Sequence, residues 1–231
     1  MQPYFMPYIG YFQLINSVDT FVIYDNLKYT KKGWINRNRI LDSNGRIQNL
    51  TIPIEKDSDH LDINQRYVSK SFDRKKIVNK VKSYYRKSIN YKIIAELMDD
   101  VIIHNQHSCL FNYIESSLKA VLNVLDIKTE LIRSSEISID HNLKGKEKVI
   151  AICNKLGADI YINPIGGVDL YDKSFFQNYD IELKFLKSNL SKYLQPTSPN
   201  LFHPSLSIID VIANMNQDDL FKAIANDIEF L

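Results

Sequence analysis

Apolar positions recur along this chain in two rhythms, and the changes between them outline its elements. Short runs dense in β-branched and aromatic residues stand at 20–24 (TFVIY), 129–133 (TELIR), 159–162 (DIYI) and 181–185 (IELKF), and they predict core strands. From Asp73 to about Leu125 the spacing becomes helical, through Ile77, Val81, Tyr84 and Tyr85, then Ile93, Ile94, Leu97 and Val101, then Leu110, Ile114, Leu118, Val121 and Leu125. Two or three helices are expected there, as a layer or subdomain over 73–125 whose basic face (Lys75, Lys76, Lys80, Lys82, Arg86, Lys87) closes one side of a site or is simply solvated. The stretch RNRILDSNGRIQNLTIPI sets Asn44-Gly45 between two alternating runs, which predicts a hairpin, and Pro53 pushes its second run toward an edge. An amphipathic run from Lys144 to Leu156 stops at Gly157, and strand and helix alternate from Leu131 onward. Alternation of this kind implies a parallel sheet. The expected architecture is a single α/β domain over 1–231 with a mainly parallel Rossmann-like sheet, a β-hairpin and a helical insertion. The strands ending near Tyr24, Arg133 and Ile162 should be neighbours in that sheet.

Composition narrows the function classes. With 231 residues, 45% hydrophobic and 24% charged, the chain can bury a substantial core, so disorder is not expected. A net charge of +2 and a pI near 8.3 give no nucleic-acid signal by themselves, although an aminoacyl-tRNA as donor stays open. Neither a charged n-region with an apolar h-region nor a membrane-spanning window is present, and a cytoplasmic protein is the default expectation. Cys109 and Cys153 stand alone, without the spacing of a zinc site or a disulfide framework, and are expected as apolar fillers. His104 and His107 have no matching acid motif, so no metal is expected. The QPTSPN stretch at 195–200 has the composition of an exposed connection.

Ligand sites of open parallel sheets lie just past the carboxyl ends of the strands. After TFVIY come Asp25, Asn26, Lys28, Lys31, Lys32, Trp34, Asn36, Arg37, Asn38 and Arg39; Asn36 and Asn38 would share one face of an extended segment, and Arg37 and Arg39 the other. After TELIR come Ser134 and Ser135, and after DIYI comes the Gly166-Gly167 pair, whose missing side chains would let backbone N–H groups approach a phosphate. His203, ahead of Pro204 and LSIIDVIAN, is a further candidate. Each also has a plain structural explanation: a solvated basic face, a turn, a loop histidine.

The amino-terminal stretch QPYFMPYIGYFQLINSVDTFVIYDNLKYTKKGWINRNRI resembles the signature of the WbqC-like protein family. The likeness continues through IRSSEI, KLGADIYINPIGGVDLYD and HPSLSIIDVIANM, so it covers nearly the whole chain. It implies a place in bacterial O-antigen (lipopolysaccharide) and other surface-polysaccharide gene sets. Relatives carry a short apolar strand before the Gln-Pro pair, so a first core strand ahead of Met1 is an expectation. The layout is also similar to nucleotidyltransferases and pantothenate-synthetase-like ligases. There a first strand leads through a Pro and Gly turn bearing two phosphate-binding histidines; here Tyr8, Gly10 and Tyr11 stand in that turn.

The reading that follows is acylation or aminoacylation of the amine of a nucleotide-linked amino sugar. The donor is open between an ATP-made adenylate and an acyl thioester. Asp25 or His203 would serve as base and Asn36 or Asn38 would meet the oxyanion; Lys28, Lys32, Arg37, Trp34, Ser134, Ser135, Gly166 and Gly167 would bind substrate, with Tyr8 or Tyr11 on the wall. The alternative is a non-catalytic nucleotide-sugar binding or assembly protein. Oligomeric state is left open.

Overall fold

The strands form where the β-branched runs lie, but they divide among three small sheets. The computed structural model describes residues 1–58, 60–197 and 201–231; part of the QPTSPN stretch, 198–200, lies outside the described residues. In chain order the elements are α1 (Ile9–Asn16), β1 (Thr20–Ile23), β2 (Arg37–Leu41), β3 (Ile47–Thr51), α2 (Arg74–Tyr84), α3 (Tyr91–Met98), α4 (Leu110–Val124), β4 (Glu130–Arg133), α5 (Gly145–Leu156), β5 (Ile160–Pro164), α6 (Lys173–Gln177), β6 (Glu182–Ser188), α7 (Ile208–Asn214), α8 (Gln217–Asn226) and β7 (Ile228–Phe230). α3 runs on into a π-helical turn, Asp99–His104.

The hairpin forms as its turn chemistry demands. β2 pairs antiparallel with β3, with Asn38 opposite Leu50. The Asp42 carboxylate accepts from the N–H groups of Asn44 (2.9 Å) and Arg46 (3.0 Å), and Gly45 takes the left-handed conformation at φ +73°. Gly157, at φ +66°, ends α5 in the same way.

The strand arrangement corrects one expectation. β1 pairs in parallel with β4, Phe21 opposite Leu131, as predicted. β5, however, pairs in parallel with β6, which in turn is antiparallel to β7, so the strand ending near Ile162 is not a hydrogen-bonded neighbour of the other two. The architecture is mixed α/β, with the single mainly parallel Rossmann-like sheet replaced by separate small ones. The reason lies at the edge of β1 away from β4. There Met1 forms the contact instead: its amine donates to the Val22 carbonyl (2.7 Å) and its carbonyl accepts from the Tyr24 N–H (2.8 Å). A groove of about 340 Å³ separates this edge from β5.

The main core gathers α1 to α4, α7 and α8, with Phe12, Ile15, Ile94, Leu118 and Ile209 fully buried. A smaller core holds Val149, Cys153, Phe176 and Phe185. Cys153 is the filler expected; Cys109 is half-buried, and its Sγ donates to the Asn64 carbonyl (3.3 Å). No described helix is long and apolar enough to cross a membrane.

Candidate ligand site

The amino-terminal aromatic stretch is a turn stitched to two distant parts of the chain. The Asn38 side-chain amide donates to the Met6 carbonyl (2.8 Å) and the Phe5 carbonyl (3.3 Å), and its own oxygen accepts from the Arg39 N–H (2.8 Å). From the other side Ser207 Oγ donates to Met6 (2.8 Å) and the Ile208 N–H to Pro7 (2.8 Å). These bonds hold Met6 at φ +46°, a left-handed conformation that a branched-free side chain tolerates only when its surroundings fix it. Tyr8 then caps α1, and its ring lies against Gly10, where any Cβ would collide with it.

This turn forms one wall of a cavity of about 450 Å³. Tyr4, Tyr8, Trp34, Tyr193 and Phe202 give it an aromatic lining, and Arg39 and Lys187 bring positive charge. The Arg39 guanidinium sits 5.3 Å from the Trp34 ring centroid, in cation–π contact, and its Nε is buried without a hydrogen-bond partner among the described residues. Lys187 pairs with Glu229 at 3.1 Å. Tyr193 and Phe202 meet edge to face, at 5.3 Å and 87°.

Behind that wall lies a buried acid. Asp210 accepts from Tyr193 (2.7 Å), Tyr85 (3.0 Å) and the Gln195 amide (3.2 Å). Burial pushes its carboxyl above the usual carboxylate range, and the three donors only partly counter this. Gln195 also takes the His203 N–H (2.9 Å) and donates to its carbonyl (3.0 Å), so the 203–207 segment is clamped to the same network. The half-buried His203 interacts electrostatically with Asp210.

A second polar cluster stands past the ends of β1 and β4. Asp25 accepts from the Ser135 hydroxyl (2.6 Å), the Ser135 N–H (3.0 Å), Ser134 Oγ (3.0 Å) and the Asn64 amide (3.3 Å). Burial alone would raise its carboxyl, yet the bonds from Ser135 and Ser134 hold it below the usual value. Asn26 connects the cluster to His141 at 3.1 Å.

Of the residues singled out in the sequence, Tyr8, Trp34 and Asn38 therefore meet at the cavity, with Ile165, next to Gly166, on its lining. Asp25, Ser134 and Ser135 meet in the second cluster. Asn36 is buried on the same face as Asn38, but its amide donates to Ile52 (2.7 Å) and its oxygen accepts from the Tyr29 hydroxyl (2.9 Å). Arg37 Nε donates to the Gly33 carbonyl (3.0 Å); Lys28 and Lys32 are exposed. Tyr11 is buried with its hydroxyl on the Gln2 carbonyl (3.1 Å). Gly166 and Gly167 lie in a 3-10 helix, Ile165–Leu170; Gly166 is exposed and Gly167 packs against the Asn163 amide. Tyr4, Lys187, Tyr193 and Phe202 were not among the candidates, and Arg39 was named only as sharing a face with Arg37.

The model of the WbqC-like protein family matches residues 2–221. The uncharacterized protein Rv1507c of Mycobacterium tuberculosis is 28% identical over 221 residues, covering 94% of this chain and 93% of its own. No solved structure matches the chain at a significant level.

Proposed function

The chain belongs to the WbqC-like protein family, and from that premise we propose that its aromatic cavity binds a nucleotide-linked amino sugar and that the protein acylates or aminoacylates the sugar's amine in surface-polysaccharide (O-antigen) biosynthesis. The observation that carries the reading is the buried, unpartnered Nε of Arg39 inside that cavity. A guanidinium N–H without a partner is costly, and a diphosphate oxygen is the acceptor that relieves it. Trp34 and Tyr8 offer faces for a base or sugar, and a volume near 450 Å³ is in the range of small-molecule sites.

In this reading the amine nitrogen attacks the donor's carbonyl carbon. The carbon's bond to sulfur (thioester) or to phosphate oxygen (adenylate) breaks, and the amine's proton passes to His203, which is not itself on the cavity lining but lies between its Phe202 and Pro204. Lys187 supplies further positive charge on the cavity lining, which Arg37, Lys28 and Lys32 do not reach. Ser134, Ser135 and Asp25 shape the neighbouring strand ends. Asn38 acts as a builder of the wall and Asn36 as a buried support of the hairpin, because their polar atoms are engaged. That engagement also favours the second reading, a binding or assembly protein without chemistry.

The test incubates the protein with a panel of nucleotide-linked amino sugars, with ATP and amino acids or with acyl thioesters, and follows sugar mass and AMP or pyrophosphate release. Acylated sugar supports the enzyme; tight binding without turnover supports the second reading. Arg39→Ala should weaken nucleotide-sugar binding by about tenfold or more, the loss of a charge-assisted contact worth on the order of 1.5–3 kcal/mol. Arg39→Lys should restore only part of it. Unchanged calorimetric affinity in folded Arg39→Ala would remove the diphosphate from this cavity.

A further inference from the structure

The helix α5 begins without a cap. The N–H groups of Gly145, Lys146 and Glu147 meet no acceptor among the described residues, and Lys144, which precedes them, brings no side-chain cap. Gly145 stands at φ +52° just ahead of helical backbone, and such a change of hand turns successive N–H groups toward one side. The helix continues for 12 residues, so its dipole adds positive potential at this end. It is entered from the carboxyl end of β4, beside that of β1, which is where parallel strands present their ligand sites.

A buried cation points to the same corner. Lys148, in the first turn of α5, is 7% exposed, and no carboxylate pairs with it among the described residues. Its ammonium has two contacts: the His141 carbonyl at 3.5 Å, the outer limit of a hydrogen bond, and the Tyr24 ring, whose centroid is 5.6 Å away. His141 lies three residues ahead of Lys144, so the side chain runs back past the open turn, as the tilt of helical side chains dictates. Lysines are almost never buried this far without a partner, and one long bond leaves most of the donor capacity of the ammonium unused. The His141 ring is held in turn by the Asn26 side chain (3.1 Å), which ties the corner to the Asp25 cluster.

We infer that this corner is a second ligand site, a cradle in which one phosphate group of a phosphoanhydride accepts from the three open N–H groups of α5 and from the Lys148 ammonium. The donors outnumber the two oxygens of a carboxylate and suit the three outward oxygens of a terminal phosphate. Two acids stand near in sequence, and neither fills the cradle. Asp140 accepts from the Asn142 N–H and amide. Glu147 is exposed; its Oε2 lies 3.9 Å from where a Cβ on Gly145 would be, and it makes no hydrogen bond to the turn. Residues 144–148 do not line the aromatic cavity, so the cradle stands apart from the reading of that site. Where that reading holds, the cradle takes the phosphates of the acyl donor, a chemistry that ATP and coenzyme A thioesters share.

The test titrates the folded protein with pyrophosphate, ATP and coenzyme A and follows the backbone amides of 145–147 by NMR, with chloride at matched ionic strength as reference. Pyrophosphate should move these amides saturably, and chloride should not. Lys148→Met keeps much of the buried stem and should weaken pyrophosphate binding by about tenfold or more. Glu147→Gln removes a carboxylate from the open turn and should tighten binding by about two- to fivefold. Arg39→Ala should leave the 145–147 shifts as they are, which separates the cradle from the aromatic cavity. ATP binding more tightly than coenzyme A would support a cradle for a nucleoside triphosphate, and the reverse order one for the thioester. Amides that stay in place, that follow chloride equally, or that report the same pyrophosphate affinity in folded Lys148→Met would overturn it. Should Lys148→Met fail to fold, an unchanged affinity in Glu147→Gln would overturn it as well.

Discussion

Asn38 donates through one amide to two carbonyls of the amino-terminal turn and accepts the next residue's N–H, so a single side chain fixes the cavity wall to the hairpin. Asn38→Ala takes this donor from the Phe5 carbonyl, leaves Met6 with Ser207 alone, and should destabilise the protein by on the order of 1–3 kcal/mol in urea unfolding. Asn38→Asp should cost more, because it sets a carboxylate against the same carbonyls. The pairing of Asn36 with Asn38 on one face was legible from their spacing. What each amide meets was not, since Phe5 and Ile52 come to this strand only through the fold. Arg39 was missed for the same reason: nothing local separates it from Arg37, and only the arrival of Trp34 and the 201–207 segment gives it a cavity to face.

At the scale of elements, the fold is legible in the sequence where a local rule decides. The Asn44-Gly45 hairpin, the stop of α5 at Gly157 and the helices between 74 and 124 follow from turn chemistry and periodicity. The π-helical turn Asp99–His104 and the 3-10 helix around Gly166 carry no such signal. Gly10 shows how local and tertiary demands compete. Alanine would favour α1 by about 0.5–1 kcal/mol, but its Cβ would collide with the Tyr8 ring. Displacing a packed ring costs about 1–3 kcal/mol, so Gly10→Ala should lower the melting temperature. With Tyr8 on the cavity lining, it should also weaken ligand binding measured by calorimetry.

Across the whole molecule, strand positions were legible and strand partners were not. Periodicity marks where a strand forms, whereas partners depend on which edges remain free, and the β1 edge nearest β5 is engaged by Met1. The link between β1 and β4 has its own pH signature. Burial would raise the Asp25 carboxyl, but Ser135 and Ser134 hold it low, so the unfolded chain binds its proton more readily than the folded one. Its contribution to stability is present above the ordinary carboxylate value and is lost as pH falls through the depressed one. Asp25→Asn should therefore flatten the acid side of a stability–pH profile measured by thermal unfolding, while lowering stability at neutral pH. An unchanged acid limb would place that dependence elsewhere, for instance on Glu115, held low against its burial by Arg133 and Lys119.

The bonds from Ser207 and Ile208 to Met6 and Pro7 join the two ends of the chain across about two hundred residues. During synthesis the amino-terminal turn leaves the ribosome first, yet its left-handed Met6 gains its last supports only when residue 208 is free to dock. The aromatic cavity thus cannot close until residues 202–211 have been made, and a nascent chain can order α1 to α4 before it has any place to hold a ligand.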